Sequence, residues 1–217
     1  MKVISINGSP RKNWNTDTLL NSALQGAASQ GAETERIHLV DLNYKGCISC
    51  FACKLKGGKS YGKCSLKDDL SLVFKKIEEA DAIFLGSPIY VGSVTSLTRA
   101  FLERFIMSNG AYDKEHTSFY KKRIPVGIIY TMNATESQIK ALEFEKNLRV
   151  SVEMYLKAVG ETETLFVTDT YQFDDYSKYN ATFFDAEEKA KRHEEVFPQD
   201  CNKAFELGVR LTRKALD

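Results

Sequence analysis

The sequence of 217 residues lacks several features that mark specialised classes of protein. It has no apolar run long enough for a helical membrane span, so we expect none. It has no excess of charge, because 30 basic residues face 29 acidic ones and leave a formal net charge of +1. That balance predicts neither a nucleic-acid partner nor an acidic membrane partner. It also has no internal repeat or low-complexity linker, and we expect a single domain over residues 1–217.

Two common phosphate-binding patterns are absent as well. There is no Walker motif ending in Gly-Lys-Ser/Thr and no dinucleotide Gly-x-Gly-x-x-Gly, which weighs against ATP and against a standard Rossmann site. The chain also enters a strand at Val3 without the apolar core of a signal peptide, so we expect a cytoplasmic protein.

The first twenty residues carry the clearest pattern that is present. A β-branched run at Val3, Ile4 and Ile6 is followed by a Gly-Ser-Pro turn, and a helical apolar pattern begins at Leu19. The loop between strand and helix gathers hydroxyls, amides and one cation, from Ser9, Arg11, Asn13, Asn15, Thr16 and Thr18. Because a helix N-terminus offers unpaired N–H groups and a positive dipole end, the loop predicts an anion site, and phosphate is the anion we expect there.

Strands and helices then alternate along the chain. Apolar runs near residues 36–40, 82–86, 124–130 and 164–167 predict four further strands, and helical patterns separate them, including one long helix over residues 136–159. Strict alternation implies right-handed crossovers and an open, five-stranded parallel sheet with order 2-1-3-4-5 and helices on both faces. A cysteine loop at residues 44–64 interrupts this pattern, and an arm with further helices follows at residues 169–217.

Two motifs give the sequence a family resemblance. Gly8-Ser9-Pro10-Arg11 followed by Asn15-Thr16, together with Gly86-Ser87-Pro88-Ile89-Tyr90-Val91-Gly92, resembles the NADPH-dependent FMN reductase and iron-sulfur flavoprotein branch of the flavodoxin superfamily. The resemblance covers roughly residues 1 to 170 in order. It implies a flavodoxin-like fold that binds FMN, takes a hydride from NAD(P)H and passes electrons to a second acceptor.

The predicted topology places the FMN site between strands 1 and 3, where the strand order reverses. The loop after strand 1 would hold the phosphate. Two further loops would border the isoalloxazine ring, through Pro88, Ile89, Tyr90, Val91 and Gly92 after strand 3 and Thr131, Met132 and Asn133 after strand 4. Of these, Tyr90 is expected to contact the ring, and Gly92 to allow close backbone approach. No protein side chain is expected to be catalytic, because the flavin carries the chemistry.

Two functional hypotheses follow. The first is an NAD(P)H-dependent FMN oxidoreductase of the flavin- or quinone-reductase type. The alternative is an FMN electron carrier, an iron-sulfur flavoprotein or a redox-sensing module that does not turn over nicotinamide. The near-neutral charge argues against a carrier that docks by electrostatic steering. Nothing in the sequence chooses between NADH and NADPH or names the electron acceptor.

The cysteine loop leaves a choice between a metal cluster and free thiols. Cys47, Cys50 and Cys53 have the close spacing of a [4Fe-4S] site and resemble the motif of iron-sulfur flavoproteins, but the fourth ligand, Cys64, is displaced by ten intervening residues. A longer loop adds only about 0.6 kcal/mol of closure entropy, so spacing alone does not decide. We favour a metal-free loop whose thiols lie beside the flavin; zinc is less favoured because no histidine accompanies the group.

The arm predicts an assembly. Tyr171, Phe173, Tyr176 and Tyr179 crowd a segment without an obvious partner within five strand-helix units. Exposed aromatics of this density are typical of interfaces, so we expect a homodimer, which the family resemblance also implies. The alternative is an arm that folds over its own sheet.

Overall fold

The computed structural model describes residues 1–115 and 117–216. Its strands are β1 (Lys2–Asn7), β2 (Glu33–His38), β3 (Ala82–Tyr90), β4 (Ser93–Val94), β5 (Val126–Thr131) and β6 (Thr162–Val167). Its α-helices are α1 (Asn15–Ser29), α2 (Leu70–Glu79), α3 (Ser96–Asn109), α4 (Glu136–Ala141), α5 (Phe144–Leu148), α6 (Met154–Leu156), α7 (Ala186–Glu195) and α8 (Phe197–Lys214). Within these residues, no helix combines the length and apolar character needed to cross a bilayer.

The sheet confirms the predicted fold. Its order is β2-β1-β3-β5-β6 with every neighbouring pair parallel, which is 2-1-3-4-5 when only the five parallel strands are numbered. The short strand β4 was not predicted, and it pairs antiparallel with the end of β3. The reversal of strand order between β1 and β3 creates a crevice at the carboxyl ends of the strands.

Alternation along the strands divides the core between the two faces of the sheet. In β3, Ala82 and Phe84 pack with α1 and α8 on one face, whereas Ile83 and Leu85 pack with α2, α3 and the α4–α6 segment on the other. Consecutive strand residues point to opposite faces, so an unbroken apolar run is what a strand covered on both sides requires.

The predicted long helix over residues 136–159 is wrong in detail. The segment is broken into α4, α5, a π-helical turn at Arg149–Glu153 and α6. Glu143 adopts a left-handed backbone conformation with φ of 51°, which interrupts the first helix because a continuous α-helix needs negative φ. The second strand also begins earlier than predicted, at Glu33, and pairs from there with β1.

Helix α8 packs closely against α1. A Cβ atom on Gly26 would lie 2.0 Å from the carbonyl oxygen of Phe205, and one on Gly208 would lie 2.0 Å from that of Ala23. The two backbones therefore touch where glycines remove the side chains. This contact covers one face of the sheet with residues beyond 170, so the C-terminal helix is part of the core.

Candidate functional site

Three loops meet in a cleft at the carboxyl ends of the strands. Its volume, including the space open to solvent at the mouth, is about 560 Å³. Ten residues predicted from sequence line it: Ser9, Arg11, Asn15, Thr16, Pro88, Ile89, Tyr90, Thr131, Met132 and Asn133. The lining also includes Trp14, Thr170, Tyr171 and Gln172, which were not predicted to lie at this site. The fold therefore brings together segments separated by more than 150 residues of chain.

The loop after β1 is shaped by its own polar side chains. The Asn7 carboxamide oxygen accepts from the Ser9 backbone N–H at 2.9 Å, and the Ser9 hydroxyl accepts from the Arg11 N–H at 3.1 Å. Ser9 is buried, and the guanidinium of Arg11 lies 3.8 Å from the centre of the Trp14 ring. These contacts turn the chain from β1 into α1 and leave Arg11 at the edge of the cleft.

The N-terminus of α1 lies at the cleft with hydrogen-bond donors of the kind that an anion needs. No side chain caps this helix at Trp14, and the N–H groups of a first helical turn have no acceptor within the helix. Asn15 and Thr16, both buried, add an amide and a hydroxyl. Neutral donors, one guanidinium and a positive helix end suit a phosphate monoester, so this donor set fits the phosphate of FMN.

A group of buried hydroxyls connects two of the cleft loops through hydrogen bonds. The Thr95 hydroxyl donates to the Gly8 carbonyl at 2.7 Å and lies 2.9 Å from the Thr98 hydroxyl, which in turn donates to Ser87 at 3.2 Å. The Ser87 hydroxyl also accepts from the Thr95 N–H at 3.1 Å. The start of α3 is thus bonded to the ends of β1 and β3, which fixes two of the three loops relative to each other.

Four predicted site residues lie outside the cleft. Val91 and Gly92 have φ of 51° and 75° and form the two-residue turn between β3 and β4, and the expected approach of a ring to Gly92 stays a prediction. Thr18 is exposed on α1, and Asn13 is exposed in a left-handed conformation with its N–H bonded to Asp17 at 2.8 Å. Tyr90 remains at the mouth of the cleft with 48% of its surface exposed.

The arm at residues 169–179 reaches into the cleft, which the sequence did not reveal. Arg11 donates to the Gln172 carbonyl at 2.6 Å, and the Asn15 carboxamide donates to the Tyr171 carbonyl at 2.7 Å. The Asn133 carboxamide donates to Oε1 of Gln172 at 2.7 Å. The polar and aromatic composition of the arm was the available signal, but composition does not reveal which loop an arm will reach.

The aromatic rings of the arm find partners within the chain. Tyr171 lies 5.2 Å, centre to centre, from both Tyr176 and His193, and Phe173 stacks on Tyr179 at 4.1 Å. The partners come from the arm itself and from α7, both beyond the five strand-helix units, and the homodimer expected from these rings stays a prediction. Burial lowers the pKa of His193, and the positive charge of the Arg192 guanidinium lowers it further. Tyr179 nevertheless keeps 54% of its surface exposed.

The four clustered cysteines line a separate cavity. Cys47, Cys50, Cys53 and Cys64 line one small pocket beside the C-terminal half of α3. None of them lines the cleft, and Arg104 on the cavity wall lies nine residues, or about 13 Å of helix, from Thr95. The thiols therefore line a pocket of their own, and the expectation that they lie beside the flavin stays a prediction. Although they share this space, no three His, Cys, Asp or Glu side chains of the described residues converge as metal ligands.

Arg104 organises the wall of the cysteine cavity. It is 1% exposed, pairs with Asp68, and donates through Nε to Sγ of Cys64 at 3.3 Å. The thiols differ in character: the Ser65 hydroxyl lowers the pKa of Cys50, whereas burial raises that of Cys53. All five cysteines of the chain are free.

A doubly wound parallel sheet with this strand order, and a cleft at the point of reversal, defines the flavodoxin-like class of protein. The family can be stated more closely. The model of the NADPH-dependent FMN reductase family matches residues 1–159, and the chain belongs to that family.

Relatives and solved structures agree with this placement. An iron-sulfur flavoprotein of Methanocaldococcus jannaschii is 44% identical over 104 residues, which are 48% of this chain and 51% of that protein. One from Archaeoglobus fulgidus is 44% identical over 108 residues, half of each chain. The chain thus spans about half the length of the curated relatives it matches. An NAD(P)H:quinone oxidoreductase from Methanothermobacter marburgensis has a TM-score of 0.72 at 14% identity, covering 97% of this chain and 96% of that one, which shows a shared fold.

Proposed function

We propose that the protein is an FMN-dependent oxidoreductase that takes electrons from NAD(P)H and passes them to a second acceptor. The observation that carries the proposal is the donor set at the N-terminus of α1, where buried Ser9, Asn15 and Thr16 and the cation Arg11 face one cleft. Family membership adds independent support.

Different residues of the cleft would bind the phosphate and the ring of FMN. Ser9, Arg11, Asn15 and Thr16 would hold the phosphate of FMN, which requires Arg11 and Asn15 to exchange the arm carbonyls for phosphate oxygens. The ring side of the cleft would be formed by Pro88, Ile89, Tyr90, Thr131, Met132 and Asn133. Bound FMN would supply hydride acceptance and onward electron transfer. The half-exposed Tyr90 lies at the mouth, where a nicotinamide ring would have access.

The first test of this function is whether the purified protein shows the visible absorbance of a flavin. Purified protein should be yellow or should take up added FMN, and denaturation should release FMN. It should then oxidise NADH or NADPH with a quinone or free flavin as acceptor. A colourless protein that takes up no FMN would refute the proposal, whereas FMN binding without turnover of either nicotinamide would support an electron carrier.

Assembly and location complete the proposal. We expect a homodimer in the cytoplasm, supported by the exposed aromatic surface of Tyr179 and Phe183 and by five free thiols, which are typical of a reducing compartment. Light scattering at micromolar concentration measures the assembly, and a monomeric mass would contradict the dimer.

An iron-sulfur flavoprotein is the second candidate, and the shared cavity of four cysteines favours it. Anaerobically purified protein would then contain iron and sulfide, with absorbance beyond the flavin bands. Substituting Cys50→Ser should deplete that iron, while Cys201→Ser, on α8 outside the cavity, should not. Anaerobic protein that contains FMN but no iron would refute this candidate and leave the first one standing.

A further inference from the structure

Lys189 is a buried cation in a helix that is otherwise exposed. It lies in α7 among charged neighbours, yet only 6% of its surface is exposed. Its side-chain nitrogen donates to the backbone carbonyl of Asn133 at 3.0 Å, and it also contacts Oδ1 of Asn133 and Oδ1 of Asp169. Lys189 therefore joins the loop after β5 to the first residue of the arm.

These contacts fix which way the Asn133 carboxamide points. A lysine side chain has donors only, so it must face the carboxamide oxygen of Asn133. The carboxamide nitrogen is then turned to the opposite side, where it donates to Oε1 of Gln172 at 2.7 Å and where Asn133 lines the cleft. The Gln172 contact selects this orientation only while Gln172 presents its oxygen, because its carboxamide can also turn and donate, whereas the Lys189 side chain can only donate.

The backbone supports the same arrangement. The Thr170 N–H donates to the Met132 carbonyl at 3.0 Å, and the Asp169 N–H donates to the Ala134 carbonyl at 2.9 Å. Asp169 itself has a left-handed φ of 54°, a conformation in which Asp is among the better-tolerated residues. The arm and the loop after β5 thus run together, and Lys189 pairs with side chains from both.

We infer that Lys189 is a positioning residue that turns the Asn133 carboxamide so that it presents an N–H donor to the cleft. The donor suits a carbonyl oxygen of the ligand, such as those of a flavin ring. This inference rests on the proposed FMN function for the identity of the ligand, but the orientation of Asn133 is a property of the chain alone. Lys189 does not itself line the cleft.

The first experiment is a double-mutant cycle on FMN affinity. Lys189→Met keeps the apolar length of the side chain and removes its donors, and Lys191→Met on the exposed face of the same helix is the matched control. We expect Lys189→Met to weaken FMN binding about tenfold and Lys191→Met to leave it unchanged. In an Asn133→Ala background, Lys189→Met should have no further effect, because its target is gone. Equal losses in both backgrounds would overturn the inference.

A second measurement needs no cofactor. In FMN-free protein, the side-chain amide resonances of Asn133 should shift or broaden in Lys189→Met and remain in place in Lys191→Met. If wild-type protein binds no FMN, the proposed function fails while this measurement still tests the positioning role. Unchanged Asn133 resonances in folded Lys189→Met would refute that role, even where the cofactor binds normally.

Discussion

The hydroxyl of Thr16 lies 2.7 Å from the hydroxyl of Thr131, across a strand that belongs to neither residue. Thr16 is in the first turn of α1 and Thr131 ends β5, with β3 between β1 and β5 in the sheet. The contact is possible because Gly86 of β3 has no side chain at that point. A Cβ atom there would lie 2.8 Å from Cγ2 of Thr16 and 2.7 Å from Cδ1 of Leu20. The floor of the cleft therefore depends on one glycine.

The substitution Gly86→Ala should destabilise the protein by about 1–3 kcal/mol, because the added methyl would push α1 away from the sheet. Urea unfolding followed by circular dichroism measures the change in the free energy of unfolding. Gly110→Ala is the control, since a methyl there meets only the Ile106 carbonyl, at 3.6 Å, and should change stability by less than about 0.5 kcal/mol. Equal effects of the two substitutions would show that Thr16 does not depend on Gly86.

The substitution Thr16→Val tests the assignment of the phosphate loop. It keeps the shape of the side chain but removes a buried hydroxyl that lines the cleft, so we expect FMN affinity to fall roughly tenfold. Thr18→Val is the matched control two residues further along α1, where the side chain is exposed and outside the cleft. Isothermal titration with FMN gives both affinities, and a loss at Thr18 equal to that at Thr16 would contradict the site.

The sequence predicted the sheet order and ten cleft residues because both follow from local patterns. Alternating strands and helices leave one common parallel topology, and that topology brings the loops after β1, β3 and β5 to the same edge. The missed features depend on contacts distant in sequence. The sequence near Gln172 does not indicate that its carbonyl will accept a hydrogen bond from Arg11. Likewise, the sequence near Lys189 does not indicate that its side chain will be buried against Asn133, 56 residues away.

The helix break at Glu143 was missed for a different reason. The apolar periodicity continues through residues 136–159, and only the left-handed backbone at Glu143 shows that the helix does not. Similarly, the turn at Val91-Gly92 was not predicted, because the position of Gly92 just after a strand end indicated the ring site instead. Local sequence patterns predicted which helices and strands form, whereas tertiary packing determines where they begin and end.

Gly208→Ala tests the close packing of α8 on α1. Alanine favours a helix interior over glycine by about 1 kcal/mol, but a Cβ atom here would lie 2.0 Å from the Ala23 carbonyl oxygen. Because backbone cannot yield as a flexible side chain does, we expect a net loss of about 1–3 kcal/mol in the free energy of unfolding. Asn202→Ala, at an exposed position of the same helix, should be neutral or slightly stabilising. Stabilisation by Gly208→Ala in urea unfolding would show that the helices can separate at little cost.

His38 should make the protein less stable in mild acid. The Asn7 carboxamide oxygen accepts from Ser9, so its nitrogen faces Nδ1 of His38 at 3.1 Å, and Nδ1 must be an unprotonated acceptor. Burial is the largest influence and lowers the pKa of His38, while the Asp17 carboxylate acts in the opposite direction. In the unfolded chain a histidine has a pKa of about 6.5, the model-peptide value. In the folded protein the pKa of His38 is lower, so protonation needs a lower pH. The unfolded state therefore takes up more protons just below a pH of about 6.5, and stability falls as the pH drops from about 7 towards 5.

The substitution His38→Gln should reduce this loss, because glutamine does not titrate. Melting temperatures at pH 7 and pH 5 should differ less in His38→Gln than in wild-type protein, with His193→Gln as a comparison, since burial lowers the pKa of that histidine too. Each histidine should therefore account for part of the pH dependence, and the double variant should show the smallest difference. Proton NMR titration of the wild-type protein checks the cause directly. A His38 midpoint at or above that of a free histidine would contradict the explanation, because protonation would then stabilise the fold.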